Sequence, residues 1–84
     1  MDELQKLDNI GPKIAEQLNA VGIYTYDELV SAGSKEAWLR IRTIDPSACV
    51  NRLMSLEGAI QQLRWHDLPE ADKAHLKVFY QAYK

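Results

Sequence analysis

The stretch Asn9–Ile10–Gly11–Pro12–Lys13 places a glycine–proline step between two runs that otherwise read as helix. Glycine reaches backbone angles other residues avoid, and proline fixes φ and has no N–H to donate, so the chain must turn a corner here. The apolar spacing on both sides is helical: Leu4, Leu7 and Ile10 before the break, then Ile14, Ala15 and Leu18 after it. Pro12 suits the first turn of the second helix, where a missing N–H is no loss. The corner either only packs two helices or presents free backbone amides to an anion at a helix start, with Lys13 beside them.

The rest of the chain repeats the helical pattern. Gly22 closes the second helix, and Thr25 and Glu28 have the spacing of a capping box for the next, which carries Leu29 and Val30 and stops near Gly33. Ser34 is placed to cap a short helix through Ala37, Trp38, Leu39 and Ile41. Asp45–Pro46 reads as the start of the longest helix. Cys49, Leu53, Leu56, Ile60 and Leu63 recur along one face of it, widened by Met54, which makes Cys49 a buried, inert thiol. Gly58 interrupts that helix at a cost of about 1 kcal/mol in propensity and implies close approach of a neighbouring helix. Pro69 opens the last helix, lined by Leu76, Phe79, Tyr80 and Tyr83, with Val78 beside them. No alternating strand pattern occurs, so the expected fold is all-α with about six helices.

At 84 residues the chain makes one small domain, with one modest core. Its single cysteine excludes an internal disulfide, and no apolar run approaches the ~18 residues that span a membrane. No signal peptide is legible at the N-terminus, and the expected location is cytoplasmic. Net charge is −2, the wrong sign for an obvious nucleic-acid binder. The charge is uneven, however: Arg40, Arg42, Arg52 and Arg64 face only Asp45 and Glu57 over the same interval. That strip is either a solvated face or an aid to DNA binding.

Helix, Asn9–Ile10–Gly11, helix is the pattern of a helix-hairpin-helix element, with asparagine at the first glycine position of the usual glycine–hydrophobic–glycine hairpin. Asparagine tolerates positive φ, so the exchange is chemically mild. In such a hairpin the apolar residue plugs the core while backbone N–H groups face outward toward a phosphate. The expected DNA-contacting residues are therefore Asn9, Ile10, Gly11 and Lys13, helped by Arg40 and Arg42. The second turn, Val21–Gly22–Ile23, has no lysine after it and reads as packing.

"IGPKIAEQLNAVGIYTYDEL", "AWLRIR", "SLEGAI" and "RWHDLP" together resemble the C-terminal domain of the TfoX (Sxy) family, in order and with compatible spacing from about Leu4 to Phe79. The resemblance implies a helix-hairpin-helix-like (SAM-like) domain of regulators of natural competence genes, working with a cyclic-AMP receptor protein at promoters. Family regulators usually carry an N-terminal α/β domain, and here Met1 stands just ahead of the first helix, so a stand-alone domain over 1–84 is expected. A broader similarity exists to the C-terminal domain of the bacterial RNA polymerase α subunit, through Gly22, Ile23, Thr25, Glu28 and Leu29.

Enzyme chemistry finds little support. His66 adjoins Asp67 and His75 lies nine residues on, but no further partner falls at metal-ligand spacing, and no phosphate-binding loop or nucleophile elbow occurs. Neither a cofactor nor a metal is expected. Trp38 reads as core. Trp65 either folds over Pro69 or serves a protein interface, and Tyr24 and Tyr26 can present a surface. Two functions remain open: a regulatory module gripping the DNA backbone, or an adaptor that binds a transcription-machinery protein or a second copy of itself and no DNA.

Overall fold

The computed structural model describes residues 3–83. A 3-10 turn at Glu3–Lys6 leads into α1 (Pro12–Ala20), α2 (Tyr26–Ile44) and α3 (Val50–Gln61); a second 3-10 turn, Trp65–Asp67, precedes α4 (Glu70–Tyr83). No strand occurs among the described residues, and the fold is all-α.

Local chemistry explains most boundaries. Gly11 stands at the N-cap of α1 and Pro12 at its first position, as the sequence implies. Gly11 itself is extended (φ −91°, ψ −178°), and the positive φ of the corner belongs to Asn9, at 70°. After α1, Gly22 turns left-handed (φ 88°), which brings Ile23 N–H onto the Leu18 carbonyl at 2.8 Å. Thr25 caps α2 with a full capping box: its hydroxyl accepts from Glu28 N–H at 3.1 Å while Glu28 Oε1 accepts from Thr25 N–H, also at 3.1 Å.

Gly33 (φ 85°, ψ 158°) is a single non-helical residue that kinks α2 into two stretches. Ser34 does open the second stretch, but its buried hydroxyl donates to Glu57 Oε1 on α3 at 2.6 Å. Asp45–Pro46 does not begin the long helix. Asp45 ends α2, its carbonyl accepts Ala48 N–H at 3.0 Å, and α3 starts at Val50 with Cys49 as its N-cap. The cap position turns the Cys49 side chain out to solvent, so the expected buried thiol is exposed. Leu63 likewise lies beyond α3, which closes on left-handed Gln62 (φ 60°).

The core forms around α2 and α3, the most extensively packed pair. Trp38 is fully buried at its centre, with its indole N–H donating to the Cys49 carbonyl at 3.2 Å. Leu4, Leu18, Ile23, Leu29, Ile41, Leu53 and Leu56 are also fully buried. Helix α4 buries Leu76 and sets Phe79 and Tyr80 edge-on against Trp38, with ring centroids 6.0 and 5.7 Å away. Val78 faces away from this packing and is 72% exposed.

Candidate nucleic-acid interface

The first corner begins with the left-handed Asn9, which turns the chain so that Ile10 points inward and is almost fully buried. Ile10 N–H donates to the Leu7 carbonyl at 3.3 Å. The first hydrogen bond of α1 runs from Ala15 N–H to the Gly11 carbonyl at 3.0 Å. Gly11 has no side chain to cap the helix, and Pro12 has no N–H. The amides of Gly11, Lys13 and Ile14 therefore meet no acceptor among the described residues. A Cβ built on Gly11 would touch nothing within 4 Å, so the face is open to a ligand.

Lys13 is exposed, and its ammonium makes no ion pair or hydrogen bond with a described residue. The partial positive charge of a helix start and a full ammonium thus coincide. Exposed carboxylates at Asp8 and Glu16 flank them and oppose an anion at longer range.

The second turn is different. There the amides of Val21, Gly22 and Ile23 all donate to α1 carbonyls, and those of Tyr24 and Thr25 donate to Glu28 Oε1. The corner that carries the lysine is the one with amides left over.

The Asn9 side chain faces the protein. Its Nδ2 donates to the Leu63 carbonyl at 2.8 Å and, more weakly, to the Ser55 carbonyl at 3.5 Å; its Oδ1 accepts from Trp65 N–H at 3.0 Å. Gly58 makes room for this clamp, since a Cβ there would come within 2.5 Å of Asn9 Nδ2 and 2.9 Å of the Leu63 carbonyl oxygen. The expected close approach at Gly58 is thus to the corner and the loop after α3, rather than to a helix. The only sequence signal for this clamp was the glycine in mid-helix.

Of the six residues expected to contact DNA, Asn9, Ile10, Gly11 and Lys13 share this corner, the first two as its anchors and the last two on its surface. Arg40 and Arg42 belong to α2, where two positions apart means nearly opposite directions. Arg40 Nε pairs with Glu36 at 2.8 Å beside an open groove of about 390 Å³. Arg42 lies over the Trp38 ring, 5.6 Å from its centroid.

The other polar groups are largely committed to one another. Glu57 and Asp72 both accept from Gln61 Nε2, at 2.6 and 3.0 Å, and Lys35 Nζ meets His75 Nε2. Among the described residues no three His, Cys, Asp or Glu side chains are grouped to hold a metal. Tyr26 is tied down through its hydroxyl to the Ile60 carbonyl at 2.6 Å, whereas Tyr24 is exposed. Trp65 is half-buried and stacks on His66 at 3.9 Å between ring centroids. No helix is long and apolar enough to cross a membrane among the described residues.

Comparison with known proteins adds two kinds of match. The family model of the TfoX C-terminal domain matches residues 1–80. Among solved structures, an uncharacterized protein from Listeria monocytogenes in a triclinic crystal form is 49% identical, with a TM-score of 0.93 over 94% of this chain and 90% of that one. A Listeria monocytogenes protein of unknown function in a tetragonal form is 48% identical, with a TM-score of 0.94 over 96% and 99%. No functionally curated protein matches the chain.

Proposed function

The chain belongs to the TfoX C-terminal domain family, and from that premise we propose that it is a non-enzymatic regulatory module of the competence-regulator kind that contacts the DNA backbone through its first corner. The observation that carries this reading is the set of amides at Gly11, Lys13 and Ile14 that meet no acceptor among the described residues, beside a Lys13 ammonium that meets no partner among them. Amides and an ammonium at a helix start recognise phosphate oxygens without reading base sequence. Gly11 and Lys13 make the contact, while Asn9 and Ile10 hold the shape. Arg40 and Arg42 add attraction at longer range only. The proposed location is the cytoplasm.

A second reading, an adaptor for a transcription-machinery protein or a second copy with no DNA contact, is favoured by the scattering of the arginines. Three of the four are turned onto partners within the chain. Fluorescence anisotropy of a labelled duplex separates the two. The DNA reading expects weak binding that falls with salt, and a salt slope shallower by about one or more for Lys13→Glu. Absence of binding at low salt, with the helical circular dichroism intact, leaves the adaptor.

A further inference from the structure

We propose that Arg64 is a second phosphate-contacting residue of the same surface, held beside the corner by the Asn9 clamp. The inference rests on the DNA-backbone reading above and extends it to a residue distant in sequence.

Asn9 bonds to the residues immediately before and after Arg64: its Nδ2 donates to the Leu63 carbonyl at 2.8 Å and its Oδ1 accepts from Trp65 N–H at 3.0 Å. The Arg64 backbone is therefore fixed against the corner from both sides. Its own carbonyl is engaged as well, accepting Asp67 N–H at 2.8 Å, and its φ and ψ of −66° and 142° are unstrained. A clamp of this kind sets where the side chain starts, and that side chain is exposed.

The four arginines differ in what they do inside the protein. Arg40 pairs with Glu36, Arg52 pairs with Asp45, and Arg42 covers the Trp38 ring. The Arg64 side chain alone among them has no ion pair, hydrogen bond or ring contact with a described residue, although Asp67 is only three positions away. Its guanidinium is a free planar fork, the shape that binds phosphate oxygens in pairs. Next to a corner of unpaired amides and a free lysine, the partner that uses all of these together is a run of phosphates along duplex DNA.

The test is the salt dependence of duplex binding by anisotropy for wild type, Lys13→Ala, Arg64→Ala, the double variant and Arg64→Lys. One phosphate contact contributes about 0.9 to the slope of log affinity against log salt. Arg64→Ala should weaken low-salt binding several-fold and make the slope shallower by about that amount, and the double variant should lose about twice as much. Arg64→Lys should keep the wild-type slope, because it keeps the charge. Wild-type affinity and slope in Arg64→Ala, with both reduced in Lys13→Ala, would overturn the assignment of Arg64 and leave the corner standing. A weaker affinity with an unchanged slope also overturns it. Absence of wild-type binding at low salt overturns both readings together.

Discussion

Asp45 binds three parts of the chain through one carboxylate. Oδ1 accepts from Ser47 N–H at 3.0 Å and from its hydroxyl at 2.5 Å, while Oδ2 accepts from Gln17 Nε2 on α1 and Arg52 Nη1 on α3, both at 2.8 Å. These bonds favour the charged form, led by the Ser47 hydroxyl and followed by Arg52 and Gln17, and hold the carboxyl far below its usual range. A depressed folded-state value means that the stabilisation is complete above the unfolded pKa of about 4 and is lost as pH falls below it. Asp45→Asn should therefore lower the thermal midpoint at neutral pH and flatten its decline below about pH 4. Thermal melts of both proteins at neutral and acidic pH check this. The sequence made Asp45 legible as a cap residue but placed it at the wrong helix end. Its partners Gln17 and Arg52 come from packing, which spacing along the chain does not encode.

Among the elements, α3 carries a glycine, Gly58, in its middle without the kink that Gly33 makes in α2. Gly58→Ala should gain about 1 kcal/mol in helix propensity. Against that, the new methyl would meet two backbone groups, the Leu63 carbonyl oxygen at 2.9 Å and the Trp65 Cα at 3.2 Å, as well as Asn9 Nδ2. Backbone moves less readily than a side-chain tip, and overpacking of this kind costs about 1–3 kcal/mol, so the variant should be less stable overall. Urea denaturation measures the balance. Helix boundaries set by glycine, proline and the capping box were legible in the sequence, as with Pro12, Gly22 and Thr25. What failed was reading Cys49 and Leu63 as helix interior. Their spacing continues the apolar stripe, yet one is the N-cap and the other lies past the left-handed Gln62. Periodicity cannot locate an end when the flanking residues share its rhythm.

In the whole molecule, Trp38 is where the layers meet. It lies on α2, bonds to the N-cap of α3, and receives two rings from α4. Replacing a buried tryptophan by alanine costs about 3–5 kcal/mol. A domain of this length has only about 4–13 kcal/mol of stability in total. Trp38→Ala should accordingly lower the thermal midpoint by roughly 12–40 °C, followed by far-ultraviolet circular dichroism. The candidate interface depends on the same integrity. Asn9, near the start of the chain, is bonded to residues 54 and 56 positions further on. The five letters of the motif are local, but the surface they make is not. A fragment cut before α3 would carry the whole motif and lack the backing that shapes it, so an intact grip on a ligand would itself certify that the chain is complete through Trp65.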